Sequence, residues 1–419
     1  MSRKGNDVNI LFVHEVDWLN KVVFEIHNLA EALSLFNHQV YAIDYESTWN
    51  RNGFFNLGSL RTKEVEGVSR TLPGASVCLR RPGFIKIPGL SRLSASLTHY
   101  LEIQRTIREK NIDVIILYSV PTNGLQTIRL ARKFNIPVVF RSIDILHWLV
   151  PYSALRTTTK FLERRVYSKA DMILTLTPKL SSYVINMGAE EARVKLLSTL
   201  VDTNLFHPSV DCSEVRRKWG LSEKDQVIVF IGTLFEFSGL DGFIYKFPRV
   251  MEAIPGAKLL IVGDGHHRPK LEGIIAELGL QNRVIITGFQ PYDTVPQYIN
   301  LAAICIVPFL ATDATRDIFP SKILQYLACG KAVLATPLPG TVAVIPGKQQ
   351  GVVYRDGVDE TAREVVSLLK SAEYREQLGY AGLNYVKQAH SHEKVAHQLE
   401  ARLEEAIREK HGGKSYKRI

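Results

Sequence analysis

Short apolar runs alternate with stretches of helical period along most of this chain, and the alternation runs through twice. Asn9–Val13 is strand-like and is followed by Val23, Ile26, Leu29, Ala30 and Leu33 at helical spacing, then by Val40–Ile43. Helical spacing around Ile103 and Ile107 leads to Val114–Tyr118, and Leu125–Phe134 to Val138–Phe140; Met172–Leu176 follows a further helix. Strands separated by helices of about 10–15 residues predict βαβ units and a parallel sheet. The rhythm stops at Ser198–Val210, where Asp202, Asn204, His207 and Pro208 read as a linker. It restarts with strands at Val227–Ile231, Leu259–Val262, Val284–Ile286, Ile304–Val307 and Val333–Ala335, each separated from the next by a helical stretch. The expected fold is α/β, with two Rossmann-like domains in tandem. The first covers 1–205 and the second 206–385, with a C-terminal helix crossing back to the first domain and a basic tail over 386–419.

Composition sets outer limits. With 46% hydrophobic and 22% charged residues in 419, the chain is an ordinary globular one, long enough for two domains with a core each. Cys78, Cys212, Cys305 and Cys329 form no Cys-x-x-Cys pair, which argues against a disulfide framework or a zinc ribbon. The longest apolar runs, such as Ile112–Val120 and Ala302–Leu310, fall well short of the ~20 residues that span a bilayer. The first apolar stretch breaks at His14-Glu15, unlike a signal peptide. A soluble cytoplasmic protein is expected.

The net charge is +10, and its distribution is uneven. Residues 1–205 hold 26 Lys/Arg against 18 Asp/Glu, and residues 206–419 hold 26 against 24. The excess concentrates around Arg80, Arg81 and Lys86, among Phe84, Ile85, Ile87, Leu90 and Leu93. It concentrates again at Arg156, Lys160 and Arg164, which recur every four residues and share a helix face. Basic and apolar residues side by side suit an anionic membrane surface, so a peripheral place on the inner face of the membrane is expected. No nucleic-acid partner is expected, because the basic residues are not interleaved with stacking aromatics. A solvated helix face accounts for the same pattern equally well.

In open α/β sheets, ligands bind beyond the carboxyl ends of the strands. The loops there in the second domain carry glycine: Gly232-Thr233, Gly263-Asp264-Gly265 and Gly288-Phe289-Gln290. Glycine lets backbone approach a nucleotide, though it is also ordinary turn chemistry. A longer motif follows, Phe319-Pro320-Ser321-Lys322-Ile323-Leu324-Gln325-Tyr326-Leu327-Ala328-Cys329-Gly330-Lys331. Proline and serine open a helix there, its free N–H groups fit for a diphosphate, and Gly330 closes it.

Together with Ile261–Gly265, Val284–Gly288, Ala170-Asp171 and the Val201–Pro208 linker, this motif resembles the donor-binding region of family 4 glycosyltransferases. The resemblance covers most of the chain and implies the GT-B fold, two Rossmann-like domains with a deep interdomain cleft. It implies a retaining transfer from a UDP- or GDP-linked sugar, bound by the second domain, to a glycan or lipid-linked acceptor bound by the first. No metal and no cofactor beyond the nucleotide-sugar substrate are expected. The implied donor-binding residues are Gly232, Thr233, Gly263, Gly265, Gly288, Phe289, Gln290, Ser321, Lys322, Ile323 and Gln325. The implied catalytic residues are Asp144, His147 and Asp317, with Asp17 and Trp18 on the acceptor.

The family pattern is broken in places. Its Glu-x7-Glu pair reads Asp317-x7-Gln325 here, and its phosphate-clamping Arg and Lys match the neutral Thr233 and Ser238. A closed site cannot leave a diphosphate without a counter-charge, and Lys322, helped by Arg316, is the expected replacement. Where relatives have a His-Asp pair, Ile143-Asp144 stands, with His147 further on. A catalytically degenerate subunit that regulates an active transferase is the alternative these losses motivate, and a nucleotide-sugar epimerase is a third reading.

Overall fold

The computed structural model describes residues 7–21, 23–46, 57–87, 90–150, 153–313 and 315–412. The chain divides into two compact units, residues 1–199 with 392–419 and residues 200–391. The division thus falls a few residues before the expected point.

The first unit is built on an eight-stranded sheet. In chain order its strands are β1 (Asn9–Val13), β2 (Gln39–Ile43), β3 (Lys63–Val68), β4 (Val77–Arg81), β5 (Val114–Leu117), β6 (Val138–Ser142), β7 (Met172–Thr175) and β8 (Val194–Leu196). They lie in the order β3-β4-β2-β1-β5-β6-β7-β8, all parallel except the edge pair β3–β4. Its helices are α1 (Glu25–Leu35), α2 (Leu90–Lys110), α3 (Gly124–Lys133), α4 (Ser153–Tyr167) and α5 (Pro178–Asn186). β1, β5 and β7 are buried at every position, which is why they read as unbroken apolar runs rather than alternating ones. β3 is exposed at five of six positions, and its charged sequence carries no strand pattern.

The second unit adds α6 (Ser213–Lys218), α7 (Leu240–Ala253), α8 (Arg268–Glu277), α9 (Val295–Leu301), α10 (Lys322–Ala328), α11 (Pro339–Val344), α12 (Val358–Lys370) and α13 (Ala372–Ala389). Its strands are β9 (Gln226–Ile231), β10 (Ala257–Val262), β11 (Val284–Gly288), β12 (Ile304–Val307), β13 (Val333–Ala335) and β14 (Val352–Tyr354). All are parallel, in the order β11-β10-β9-β12-β13-β14. Each unit has its own apolar core. The last helix, α14 (His392–Lys410), belongs to the first unit and packs on α1. There Phe36 stacks on His397, and His38 pairs with Glu400 at 3.0 Å. The basic tail beyond residue 412 lies outside the described residues.

Strand order fixes where each unit can bind. In the second sheet the direction of building reverses between β9 and β12, and in the first between β1 and β5. At such a reversal, helices on opposite faces splay apart and leave a crevice at the carboxyl ends of the strands.

Candidate active site

Lys322 opens α10 and reaches over the β9–β12 switch point. Its Nζ lies 4.3 Å from the ring centre of Phe230 on β9 and 4.9 Å from that of Phe309, just past β12. Both rings present their electron-rich faces to the ammonium, a contact that strengthens as water is removed. Burial alone drives its pKa down to about 7 from the ordinary 10.5. No hydrogen bond or ion pair to it is found among the described residues. A cation held by rings, with no carboxylate to neutralise it, is a site prepared for an anion.

Gly232 makes the room. It follows β9 with φ 138°, and a Cβ there would stand 2.4 Å from Lys322 Nζ. The other glycines serve packing first. A Cβ on Gly263 would meet the Gly232 carbonyl oxygen at 2.0 Å, and one on Gly265 would meet that of Leu234 at 2.4 Å. Gly288, at φ 73°, bridges to Gly263. The loops after β9, β10 and β11 therefore touch backbone to backbone, which no side chain would permit.

The start of α10 departs from expectation. Ile323 N–H donates to Pro320 O at 3.0 Å and Leu324 N–H to Ser321 O at 3.0 Å, so the first turn consumes donors expected to be free. Ile323 itself is fully buried, and its side chain is core rather than ligand-facing. Ser321 is exposed and makes no capping bond. The far end ends as expected, in a left-handed Gly330 whose N–H bonds Leu327 O while Lys331 N–H bonds Tyr326 O.

Around this cation, Thr233 is exposed, and Ser238 is buried with its hydroxyl donated to Phe235 O at 2.6 Å. Phe235 stacks on Phe237, and Phe237 meets Phe309 edge-on. Where the family places cations, this loop thus places rings. Gln290 is tied by its amide to Thr287 O and accepts from Tyr298 OH, so its backbone is what remains for a base. Phe289 beside it is exposed. Gln325 and Asp317 are half-buried, and Arg316 Nε lies 4.0 Å from Asp317.

In the first unit the expected residues scatter. Asp144, just past β6, is half-buried, and its carboxyl is held above the usual range by burial and by the neighbouring Glu25 charge. His147 lies on a short 3-10 turn, Leu146–Leu149. Its Nδ1 is 2.7 Å from Oε2 of Glu163, a carboxylate fully buried on the inner face of α4. Glu163 also accepts from the His147 N–H at 3.2 Å and the Tyr183 hydroxyl at 3.0 Å. Nδ1, facing a carboxylate, is the nitrogen that carries a proton, and in the neutral ring Nε2 is then the acceptor. Glu163 escaped the sequence reading because it precedes Arg164-Arg165 and looks like one more surface charge.

Five expectations fail here for one reason, burial. Trp18 is 1% exposed, its ring against His27 with centres 4.7 Å apart, so it stacks on no acceptor. Asp17 is buried, accepting from Leu19 and Asn20 N–H and pairing with Arg81 at 2.7 Å. Arg81 is itself buried, with Nε 3.0 Å from Asp44 Oδ2. Arg80 is buried among Glu64, Glu102 and Glu109, and Lys86 is largely buried against Glu46. These three cations are turned inward onto neighbouring carboxylates and offer no charge to a membrane. Arg156, Lys160 and Arg164 are exposed on α4, as expected. Among the described residues no cluster of His, Cys, Asp or Glu is arranged to hold a metal ion.

Comparison with known proteins gives the family and the fold. Residues 211–385 match the family described as glycosyl transferases group 1, and residues 26–199 match the glycosyl transferase 4-like domain. The chain belongs to this family 4-like group of glycosyltransferases. Sucrose-phosphate synthase of Thermosynechococcus elongatus is similar in structure, with TM-score 0.72 and 18% identity over 95% of this chain and 98% of that one. HepE of Anabaena, solved with UDP, gives 0.70 and 18% over 95% and 100%. These likenesses establish the GT-B fold. Among curated relatives, an uncharacterized glycosyltransferase of Methanocaldococcus jannaschii is 25% identical over 49% of this chain and 53% of its own length. The alpha-D-kanosaminyltransferase of Streptomyces kanamyceticus is 25% identical over 52% and 56%, so the match spans about half of each. A GDP-mannose-dependent phosphatidylinositol monomannoside mannosyltransferase of Mycobacterium tuberculosis is 24% identical over 74% and 78%.

Proposed function

We propose that this protein is a retaining glycosyltransferase that takes a sugar from a UDP- or GDP-linked donor and delivers it to a glycan or lipid-linked acceptor at a membrane surface. The observation that carries the reading is the ammonium of Lys322, desolvated over Phe230 and Phe309 at the switch point with no carboxylate paired to it among the described residues. A donor diphosphate supplies the missing charge. As the glycosidic bond breaks, negative charge grows on the leaving diphosphate, and a fixed cation there lowers the barrier more than it favours the ground state. With that charge met by Lys322, turnover is expected to persist in chelator. Asp317 and Gln325 would face the donor sugar and ribose. In the first unit Asp144 and the Nε2 of His147 would orient the acceptor hydroxyl, with Glu163 holding the imidazole in place.

The test is nucleotide release from a panel of UDP- and GDP-sugars, together with donor affinity for wild type and Lys322→Ala. Release from one donor is expected, with affinity about tenfold to a hundredfold weaker in the variant, as befits a lost charged hydrogen bond. Affinity unchanged within about twofold would reject Lys322 as the counter-charge. Donor binding without turnover would favour a regulatory subunit.

A further inference from the structure

We infer that the outward face of the α2–α3–α4 layer is a docking surface for an anionic lipid bilayer, with a row of leucines on α2 entering the apolar boundary. α2 joins β4 to β5, α3 joins β5 to β6 and α4 joins β6 to β7. All three crossings step the same way across the sheet. Right-handed connections therefore put the helices on one face of it, with their outer sides turned in a common direction. Neighbouring helices in this layer are in contact, α2 with α3 and α3 with α4.

α2 is amphipathic in the wrong sense for a helix that ends at water. Its buried side consists of Ala95, His99, Glu102, Ile103, Thr106 and Ile107. Its leucines point outward instead: Leu93 is 70% exposed and Leu97 61%, with Leu90 and Leu101 also exposed. At about 100° per residue these four fall within an arc of about 80° and form a stripe about 16 Å long. Single exposed leucines need no explanation, but an aligned row does. Trp148, half exposed on the turn before α4, and Leu155 and Phe161 on α4 add apolar surface to the same layer.

Charge selects the occupant. The three helices expose ten Arg and Lys side chains, three on α2, three on α3 and four on α4, against one exposed carboxylate, Glu109. A second copy of the chain would set these cations against each other, and nucleic acid would leave the leucines in water. An anionic bilayer meets both demands, acyl chains taking the leucines and headgroups the cations. The inference deepens the proposed transfer to a lipid-linked acceptor and rests on it for its purpose, while the surface is tested without it.

The test is co-sedimentation of the full chain with phosphatidylcholine vesicles, plain or with about one third phosphatidylglycerol. The wild type is expected to pellet with the anionic vesicles and to be released by salt. Leu93→Ser with Leu97→Ser is expected to weaken binding about tenfold with the salt dependence retained. Lys160→Glu with Arg164→Glu is expected to weaken it similarly and to flatten the salt dependence. Equal pelleting with both vesicles, or wild-type binding by the leucine variant, overturns the inference. A concentration-dependent dimer in ultracentrifugation, abolished by the leucine variant and indifferent to vesicles, overturns it in favour of self-association. Donor binding measured on the same variants separates the two readings. Its absence throughout would count against the transferase, while vesicle binding would still decide the surface.

Discussion

The two units place charged groups near their switch points on opposite terms. In the first unit several are answered from within. Arg141 at the end of β6 pairs with Glu25 at 2.7 Å, and Arg81 with Asp17 and Asp44. Even the N–H groups entering α3 are taken, Thr122 and Asn123 both donating to Glu15. His14 beyond β1 sits between the Phe24 and Tyr118 rings, and burial lowers its pKa to about 3, so it stays neutral. In the second unit the cation at the switch point, Lys322, has rings where a carboxylate would be. A satisfied network fixes shape, whereas an unanswered charge stores affinity for a ligand at some expense of stability. Ion pairs thus brace the first crevice, while the second keeps a cation open to an incoming anion.

Removing partners should expose this difference. Asp44→Ala leaves Arg81 buried beside Asp17 alone, and losing one member of a buried pair costs about 3–5 kcal/mol. A large drop in denaturation midpoint is expected, with donor affinity of the folded protein unchanged. Lys322→Met should act in reverse. It removes a desolvated charge and keeps the apolar stem over Phe230, so the melting temperature should hold or rise while donor affinity falls about tenfold to a hundredfold. If Lys322→Met destabilises the chain as Asp44→Ala does, the ammonium is structural and the contrast disappears.

How much of this was legible depended on whether a residue's partner was near in sequence. Buried parallel strands announce themselves as apolar runs, so the doubled α/β plan could be read directly, as could the Phe319–Lys331 motif. β3 could not, since Lys63–Val68 is exposed and charged. Arg80 and Arg81 read as a surface patch because their neutralising carboxylates come from β3, α2 and the loops after β1 and β2. Glu163 and His147 are 16 residues apart, and nothing in either neighbourhood marks the pair. The leucines of α2 were visible, but helical period alone does not say which side faces the sheet. At α10 the motif could be read, but not the rings of Phe230 and Phe309 beside Lys322, nor that the N–H groups of Ile323 and Leu324 are bonded within the first turn.

A smaller effect sharpens the first unit's part. If Glu163 serves by positioning His147, Glu163→Gln should lower kcat about tenfold or more while leaving donor KM near the wild-type value, because the donor binds elsewhere. The amide still bridges His147 and Tyr183, so folding should survive. The informative readout is the imidazole: nitrogen chemical shifts should show Nδ1 protonated in the wild type and a mixed tautomer in the variant. Equal losses in stability and kcat with an unchanged tautomer would make the pair a structural tie.

The gentlest probe is pH. With its pKa near 7, Lys322 of the free protein is mostly charged at pH 6 and mostly neutral at pH 8, while a donor's diphosphate diester keeps its charge throughout. A bound anion favours the ammonium and raises its pKa. Binding is therefore accompanied by proton uptake above neutrality, and donor affinity should fall about tenfold between pH 6 and pH 8. Stability of the ligand-free protein moves the other way. The unfolded chain holds this proton up to about 10.5 and the folded one only to about 7, so the lysine's contribution becomes more favourable as pH rises through that window. The first unit's histidines obey the same sign lower down. His14 and His27 are lowered to about 3 and about 4, so they make the fold less stable as pH falls below about 6.5 and leave donor affinity alone. Lys322→Met should abolish the slope in affinity between pH 6 and 8. A slope that persists in that variant would assign the titration to another group and remove the ammonium from the account of donor binding.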